Sequence, residues 1–432
     1  MLKRKIYDAL NCWRKTKRNE CLLVRGARQV GKSFIIEKFG HDNYKSVIVL
    51  NFFKHPEYAE IFDGDLSPSE IFKRLSLKVP NISFIPGRTL LFLDEVQHCP
   101  NARTAIKFLA GDKTCDVISS GSLLGLHYKE IVSVPVGYER QLEMHSLDFE
   151  EFLWAYGYND SAITELKSYF TNAAKIPSSI KDTFARILRE YIAVGGMPDV
   201  VNTFLETNNF GAVFAKQRDL LAEYEEDIIK YTSGAERQKV ADCYRSIPRQ
   251  LSKEYTKFRY SVVSPGGTSK KYGNALDWLT DAGFIKKVCN VSTPQLPLRS
   301  YEKPNEFKVY GTDIGLVSAM YGRETQAALI EDTLTGPAKG GIYENLIFDM
   351  LSKRGYELRY YKNEKNTQEI EFLIEQNRSA IPIEVKSRRG DTPSLNTFID
   401  EWAPPYAYKL TSGNIGKIDS KITLPHYMAM FI

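Results

Sequence analysis

The chain has 432 residues, which is too long for one ordinary hydrophobic core and predicts two or three domains. Hydrophobic residues make up 43% and charged residues 26%, which excludes a disordered chain, and the net charge of +5 permits nucleic-acid contact without arguing for it. Because no apolar stretch could span a bilayer and the first residues lack a signal-peptide core, we expect a cytoplasmic protein with no membrane contact.

The first informative stretch is the glycine-containing segment 26–33, which matches G-x-x-x-x-G-K-S, the phosphate-binding P-loop. The apolar run 21–24 predicts a strand before it, and 33–39 predicts a short helix after it. Backbone N–H groups of such a loop turn towards a phosphate, Lys32 would reach the β- and γ-phosphates, and Ser33 would ligate Mg²⁺. We therefore predict ATP and Mg²⁺ as cofactors. The predicted nucleotide-binding residues are Gly26, Ala27, Arg28, Gln29, Val30, Gly31, Lys32 and Ser33.

A buried parallel strand is predicted at 89–93, because its apolar run is continuous rather than alternating. It ends in Asp94 and Glu95, the form of a Walker B strand. Asp94 would hold the Mg²⁺ shell, and Glu95 would polarise the attacking water as general base, with Lys32 as the other catalytic residue. The alternative is that these two carboxylates only cap the helix predicted at 102–110.

A further strand at 115–122 ends in Ser-Ser-Gly-Ser. In a P-loop ATPase this strand lies beside the Walker B strand, so Ser120 or Ser122 is a candidate sensor of the γ-phosphate, although the same residues are also ordinary turn formers. Beyond it, Arg140 is a candidate arginine finger, which would stabilise charge on the transferred phosphoryl group. Structural pairing of Arg140 is the alternative.

The middle of the chain predicts helices and then a winged helix. Asp148 is a candidate cap for a helix that ends at Gly157, and 161–235 is mostly helical, as expected for the lid of an AAA-type ATPase. A helix near 238–252, a second at 268–281 and strands at 284–288 and 307–310 follow in the order of a winged helix. Such a module would contact DNA or serve as a spacer.

The last part of the chain carries a second candidate site. The strands 369–374 and 380–386 predict a hairpin in which Glu371 and Glu384 could share a divalent metal, with Glu344 of a preceding helix completing its shell. Lys386 points the same way as Glu384 and could orient or deprotonate water, so Glu371, Glu384 and Lys386 are predicted catalytic residues. This is the arrangement of restriction-endonuclease-like enzymes. The alternatives are a salt-bridged strand pair, or a nuclease fold without activity.

Together these motifs resemble a known family. The loop GARQVGKS, the strand LFLDEVQ and the end SSGS are similar to those of prokaryotic AAA-superfamily ATPases. With the later stretches 194–198, 307–316 and 382–386, the order of motifs resembles the family in which such an ATPase is fused to a C-terminal domain of unknown function. In the resembling families Gly and Arg are adjacent, whereas here Gly137 and Arg140 are apart.

The resemblance implies an α/β fold with four parts. They are an AAA-type P-loop ATPase core over 1–160, a helical lid over 161–235, a winged-helix-like domain over 236–330 and a restriction-endonuclease-like α/β domain over 331–432. Because AAA-type ATPases often hydrolyse at subunit interfaces, it also implies a homo-oligomer.

Two functions from different classes follow from these predictions. In the first, Mg²⁺-dependent ATP hydrolysis drives a conformational change coupled to DNA binding or cleavage by the C-terminal domain. In the second, the ATPase is a slow switch, and the C-terminal domain is a non-catalytic platform for a protein partner or DNA. A small-molecule P-loop kinase is disfavoured because the chain after residue 240 would have no role in it.

Overall fold

The computed structural model describes residues 1–123, 137–232, 234–252, 257–365, 367–388 and 390–432. The chain divides into two compact units. We call residues 3–146 with 281–283 the N-terminal unit, and residues 1–2, 147–280 and 284–432 the C-terminal unit. Among the described helices, none combines the length and the hydrophobicity needed to cross a bilayer.

A five-stranded sheet forms the centre of the N-terminal unit, with strand order β2-β3-β4-β1-β5 and every pairing parallel. The strands are β1 Cys21–Gly26, β2 Ser46–Asn51, β3 Thr89–Asp94, β4 Asp116–Ser122 and β5 Glu139–Glu143. All six residues of β3 are buried, as its unbroken apolar run predicts. Because the strands are parallel, the carboxyl ends of β1, β3 and β4 meet at one edge of the sheet.

Helices flank this sheet and supply the apolar side chains that cover it. The α-helices are Ile6–Thr16, Lys32–Asn43, Pro68–Lys78 and Pro100–Leu109, and short 3₁₀ turns lie at Pro56–Phe62 and Val96–His98. Strand β5 was not predicted as a strand. Its sequence, Glu-Arg-Gln-Leu-Glu, has one apolar residue, so it carries none of the apolar pattern from which a strand is recognised.

An eight-stranded mixed sheet organises the C-terminal unit, in the order β12-β13-β11-β10-β9-β8-β6-β7. The pairs β6–β8, β10–β11 and β11–β13 are parallel and the others are antiparallel. The strands are β6 Ile285–Val291, β7 Glu302–Gly311, β8 Arg359–Lys362, β9 Glu369–Gln376, β10 Ser379–Val385, β11 Ala407–Thr411, β12 Gly416–Ile418 and β13 Lys421–Pro425.

The helices of the C-terminal unit lie mostly before its sheet in the chain. They are Phe149–Ala155, Asp160–Thr171, Ser178–Val194, Pro198–Thr207, Phe210–Tyr231, Gly234–Leu251, Tyr260–Val263, Ser269–Asp281, Ile314–Met320, Arg323–Ile330, Gly336–Lys353 and Pro393–Trp402, with 3₁₀ turns at Leu298–Tyr301 and His426–Phe431. The predicted cap at Asp148 forms a capping box with Glu151, in which each side chain accepts from the other's backbone N–H. Residues 161–235 are mostly helical, as the sequence predicted, and these helices belong to the C-terminal unit.

The predicted winged helix takes a different form. Strands β6 and β7 do pair antiparallel, as the sequence indicated. However, β6 also pairs with β8 through Asn290 and Tyr360, so the two strands are the edge of the eight-stranded sheet and not the wing of a separate module. Two helices followed by a hairpin look the same in sequence in both cases. Only the pairing with a strand that lies 70 residues later separates them.

Candidate functional site

The P-loop leaves β1 at Gly26 and enters the helix Lys32–Asn43. Gly31 has φ of 94°, a conformation that favours glycine, and Gln29 also lies in the left-handed region with φ of 62°. A Cβ at Gly26 would lie 2.1 Å from the carbonyl oxygen of Met144, so the first glycine is required by close backbone packing as well. The strand, the loop and the helix occur in the predicted order, and the helix begins at Lys32, the lysine of the motif.

Lys32 is buried within this loop. Its ammonium group donates to the carbonyl oxygens of Gly26 (3.1 Å) and Ala27 (2.7 Å). Burial lowers the pKa of Lys32 to about 8, against the opposing charges of Glu95 and Asp94. The charges of the two predicted acids thus favour the charged form of the P-loop lysine.

The carboxylate of Asp94 is the centre of the polar cluster at the sheet edge, and it is 1% exposed. The Ser33 hydroxyl lies 2.9 Å from each of its two oxygens. The Ser120 hydroxyl donates to Oδ1 of Asp94, and Nδ2 of Asn51 donates to Oδ2 at 2.7 Å. Three of the predicted site residues, Ser33, Asp94 and Ser120, are thus in direct contact.

Asn51 is a site residue that sequence reasoning missed. It ends β2 directly opposite Asp94 in the register of β2 and β3. Its side-chain oxygen accepts from the N–H groups of Phe53 (3.1 Å) and Lys54 (2.8 Å), which turns its amide N–H₂ towards Asp94. A polar residue at the end of the apolar strand that adjoins the Walker B strand was the available signal.

Glu95 follows Asp94 with φ of 55°, in the left-handed region that non-glycine residues rarely adopt. Nε2 of Gln97 donates a hydrogen bond to Oε2 of Glu95. Gln97 is buried, so this contact fixes the carboxylate of the predicted general base. Gln97 was also missed, because its role depends on the turn that follows Glu95 and not on any apolar pattern.

Arg4 supports the P-loop from the start of the chain. Its guanidinium donates to the carbonyl oxygens of Val30 (3.1 Å) and His145 (2.6 Å), and the residue is buried. These bonds tie the loop to the segment that follows β5. Arg4 belongs to no local sequence pattern, so this contact could not be predicted from the sequence.

Arg140 lies away from the P-loop. On β5 it is opposite Leu22, four residues before Gly26, which corresponds to about 13 Å along the strand. Its guanidinium forms an ion pair with Glu20 at 2.6 Å and contacts the Thr16 hydroxyl at 3.3 Å. Arg140 thus has the structural pairing that was considered as the alternative, and its role as an arginine finger stays a prediction.

A second polar cluster lines a cavity of about 240 Å³ in the C-terminal unit. Glu344, Glu371, Glu384 and Lys386, which were predicted to act together, all lie in its wall, and Lys308, Tyr310 and Glu369 join them. The β9–β10 register pairs Phe372 with Ile383, and Glu371 and Glu384 are the next residues on these two strands, as the predicted hairpin implied. The predicted constellation is therefore brought together by the fold.

Two lysines, Lys308 and Lys386, each contact two of the carboxylates in this cavity. Lys308 contacts Glu344 at 2.9 Å and Glu369 at 2.7 Å, and the Tyr310 hydroxyl donates to Glu344 at 2.5 Å. Lys386 contacts Glu384 at 2.5 Å and Glu371 at 3.8 Å. Within the described ranges, no group of three or more His, Cys, Asp or Glu side chains is arranged to hold a metal ion. The carboxylates predicted to hold a metal, Glu344, Glu371 and Glu384, each contact a lysine in this structure, and their role as metal ligands stays a prediction.

The electrostatics of the cluster follow from its burial. Burial, reinforced by the charge of Glu371, raises the pKa of Glu384 to about 8, although Lys386 opposes this. For Lys308, burial alone would lower the pKa, but Glu344 and the other surrounding groups raise it well above its usual value. Lys308 is therefore charged at neutral pH, and Glu384 holds its proton more tightly than an ordinary glutamate.

Three family models match the chain. Residues 18–153 match the family described as "AAA domain", residues 185–327 match "Domain of unknown function (DUF8612)", and residues 339–417 match "Domain of unknown function (DUF4143)". No curated protein sequence matches this chain.

Several solved structures are similar to the chain at low sequence identity. The Walker-type ATPase PABY2304 of Pyrococcus abyssi is 15% identical over 74% of this chain and 96% of its own, with a TM-score of 0.42. The Orc1 protein of Aeropyrum pernix in complex with DNA is 12% identical over 76% and 92%, with a TM-score of 0.30. AMPPCP-bound DnaA from Aquifex aeolicus is 11% identical over 64% and 88%, also with a TM-score of 0.30.

The AAA match covers β1 to β5, and hence the P-loop, the Asp94 cluster and Glu95. The parallel sheet, the loop and the matched family agree. Residues 18–153 match the AAA domain family, and their parallel sheet and G-x-x-x-x-G-K-S loop are typical of a P-loop ATPase.

Proposed function

We propose that this protein binds Mg²⁺–ATP at residues 26–33 and hydrolyses it. The observation that carries the proposal is the cluster around Asp94, in which the P-loop hydroxyl of Ser33 lies 2.9 Å from both carboxylate oxygens. Both side chains are oxygen donors of the kind that Mg²⁺ takes in P-loop proteins. The residues present therefore fit the cofactor that the motif implies.

Each residue has a role in this proposal. Bound Mg²⁺ would neutralise charge developing on the phosphates, and Ser33 and Asp94 would hold it. Lys32 would transfer its hydrogen bonds from the carbonyls of Gly26 and Ala27 to phosphate oxygens. Glu95, held by Gln97, would accept a proton from the attacking water. Ser120 would report the state of the γ-phosphate through its hydrogen bond to Asp94.

The proposal is tested by steady-state hydrolysis and by nucleotide binding with two variants of the full-length chain. We expect Glu95→Gln to lower kcat by about 100-fold or more with ATP affinity retained, because general base catalysis contributes about that much. Lys32→Ala is expected to lose ATP binding. Glu57→Gln, an exposed glutamate outside the site, is the control. Unchanged hydrolysis in Glu95→Gln would refute the assignment of the base.

For the C-terminal unit we propose a restriction-endonuclease-like arrangement that serves as a binding platform for DNA or a protein. Support for the arrangement comes from Glu371 and Glu384 on adjacent antiparallel strands, followed by Lys386. Lys386 pairs with both of these carboxylates, and Lys308 pairs with Glu344 and Glu369 in the same cavity. These ion pairs favour a platform over a metal-dependent nuclease. Nucleotide state would then control what the platform binds.

An assay of DNA cleavage distinguishes a binding platform from a metal-dependent nuclease. Single- and double-stranded DNA is incubated with the protein, ATP and either Mg²⁺ or Mn²⁺. We expect no cleavage by the parent chain, and a mobility shift of DNA would identify DNA as the platform's ligand. Cleavage that disappears in Glu384→Ala and persists in the control Glu357→Ala, which changes an exposed residue just before β8, would establish a nuclease instead.

A further inference from the structure

A second cavity of the C-terminal unit, of about 480 Å³, has a different chemical character from the carboxylate cluster. It lies beyond the carboxyl ends of β10, β11 and β13, which are parallel neighbours in the sheet. Ser387 and Arg388 follow β10, Thr411 ends β11, and His426 follows β13. Crevices outside the carboxyl ends of parallel strands are where open α/β sheets bind ligands. The topology thus builds this cavity from three strand ends.

The cavity is strongly basic. Four cationic side chains line it, Lys181, Arg189, Lys339 and Arg388, against the single carboxylate of Asp332. The lining side chains sum to +3, and Asp182, which pairs with Lys181 at 3.0 Å, reduces this to +2, whereas the whole chain carries +5. Such a concentration of one sign attracts an anion.

Its walls hold these cations in place. The Lys339 side chain is 4% exposed, and its ammonium contacts Asp332 at 2.6 Å. Nε of Arg189 donates to the carbonyl of Ile330 at 3.2 Å, which fixes the guanidinium. Lys181 and Arg189 are eight residues apart on the helix Ser178–Val194 and therefore project from the same face. The cations are thus placed on regular elements and not only on loops.

Polar groups that carry no charge also face this site. His426 is buried, burial lowers its pKa to about 4, and its Nε2 lies 2.9 Å from the carbonyl of Lys386. It therefore donates this bond as a neutral ring. Uncharged hydroxyl side chains that line the cavity are those of Ser387, Thr411 and Ser412.

We propose that this cavity binds a phosphomonoester. A phosphomonoester carries about −2 charge at neutral pH and offers three acceptor oxygens, which suits several cations and hydroxyl groups better than the single charge of an internal phosphodiester does. The volume is that of a small-ligand pocket, and too small for a duplex. The phosphomonoester would belong to a free sugar phosphate or to the 5′ end of a nucleic-acid strand.

The basic cavity lies next to the carboxylate cavity in the sequence, which matters if the ligand is the 5′ end of a nucleic-acid strand. Lys386 lines the carboxylate cavity, and the next two residues, Ser387 and Arg388, line the basic one. A strand whose terminal phosphate occupied the basic cavity would begin within a few residues of Glu384. This inference does not depend on ATP hydrolysis in the N-terminal unit.

The test uses the full-length chain and two probes. The first is ribose 5-phosphate, measured by isothermal titration calorimetry. The second is a short oligothymidylate with a 3′ dye, measured by anisotropy with either a 5′-phosphate or a 5′-hydroxyl. We expect Arg189→Gln and Arg388→Gln each to weaken binding of the phosphorylated probe by about tenfold or more. Arg186→Gln is the matched control, because Arg186 lies on the same helix, pairs with Glu190 and does not line the cavity.

The outcomes separate the two sources. Binding of ribose 5-phosphate with no preference between the two oligonucleotides would identify a small sugar phosphate as the ligand. A preference for the 5′-phosphorylated strand would identify a strand end. The proposal is overturned if neither probe binds, or if binding survives both Arg189→Gln and Arg388→Gln. Because Arg388 is exposed, its substitution is not expected to disturb folding, which keeps the second variant informative if the first is unstable.

Discussion

The hydroxyl of Ser33 lies 2.9 Å from both carboxylate oxygens of Asp94, although the two residues are 61 positions apart in the chain. Ser33 stands in the first turn of the helix Lys32–Asn43, and Asp94 ends β3. The contact exists because β1 and β3 are parallel and separated by β4 alone, so that their carboxyl ends share one edge. The two oxygen donors proposed for Mg²⁺ are therefore positioned by the sheet before any ligand arrives.

Asn51 is expected to set the Mg²⁺ dependence of the reaction. Because its amide donates to Asp94 at 2.7 Å, Asn51→Ala removes a contact that orients the carboxylate. We expect the Mg²⁺ concentration for half-maximal hydrolysis to rise about tenfold, since outer contacts of a metal ligand contribute about that much to affinity. Magnesium titrations of the hydrolysis rate measure this. The control is Asn101→Ala, a surface asparagine that contacts Asp63. Equal magnesium curves for Asn51→Ala and the parent would contradict the role.

Gln97 is expected to act on the chemical step through Glu95. Gln97→Met removes the donor to Oε2 of Glu95 and keeps an unbranched side chain of similar length. Because Gln97 positions the base and does not bind nucleotide in the proposal, kcat should fall about tenfold with KM for ATP unchanged. Initial-rate kinetics over a range of ATP concentrations separate the two constants. A rise in KM at constant kcat would assign Gln97 to nucleotide binding instead.

Lys32 gives the unliganded protein a pH-dependent stability. Burial lowers its pKa from 10.5 to about 8, so between these values the unfolded chain binds more protons than the folded chain. The contribution of Lys32 is therefore unfavourable below about pH 8, and the stability it costs is recovered as pH rises towards 10.5. We expect Lys32→Met to be more stable than the parent by about 3 kcal/mol at pH 7 and by much less at pH 10. Urea unfolding at both pH values measures this.

The control for that measurement is Lys73→Met, because the Lys73 side chain is 67% exposed and pairs with Glu70 across one helical turn. Its stability relative to the parent should not change between the two pH values. If Lys32→Met were equally or less stable than the parent at pH 7, the hydrogen bonds to Gly26 and Ala27 would outweigh the cost of burial.

The sequence predicted the P-loop and the strand ending at Asp94 because both are defined locally. A continuous apolar run followed by acids, and glycines at fixed spacing, can be recognised without knowing what packs nearby. Asn51 and Arg4 could not be found in this way. The role of Asn51 depends on which strand lies next to β3, and that of Arg4 on two carbonyl groups 26 and 141 residues away.

In the C-terminal unit, too, local features could be predicted from the sequence and long-range contacts could not. The hairpin of β9 and β10 and the pairing of β6 with β7 follow from local patterns. The joining of both hairpins into one sheet through β8 is a long-range contact, and so is the insertion of Lys308 among the carboxylates. Lys308 is on β7 and Glu344 on a helix 36 residues later, so no spacing rule connects them. The carboxylates of the cluster could therefore be located from the sequence, whereas Lys308 among them could not.

Glu384 is expected to destabilise the protein as pH rises. Its pKa is raised from 4.5 to about 8, chiefly by burial, so the folded chain binds more protons than the unfolded chain between these values and stability is lost through that window. We expect Glu384→Gln to be more stable than the parent at pH 9 by at least about 1 kcal/mol, and to gain less at pH 5. Urea unfolding checks this, with the exposed Glu357→Gln as control. A variant less stable than the parent at pH 9 would show that the ion pair with Lys386 dominates.

Arg140 is expected to be dispensable for hydrolysis. Its side chain is 39% exposed and pairs with Glu20 at 2.6 Å, an arrangement that contributes at most about 1 kcal/mol to stability. Arg140→Ala should therefore lower the unfolding free energy by no more than about 1 kcal/mol. It should also leave kcat within about twofold of the parent, whereas loss of an arginine finger would lower kcat by about 1,000-fold or more.

The measurement for Arg140→Ala is the hydrolysis rate at several protein concentrations, since a finger supplied by a neighbouring copy would act only in an assembled state. Glu20→Ala is the matched variant, because it breaks the same ion pair and leaves the arginine in place. A large loss of kcat in Arg140→Ala with none in Glu20→Ala would restore the finger and require that it reach the P-loop of another copy.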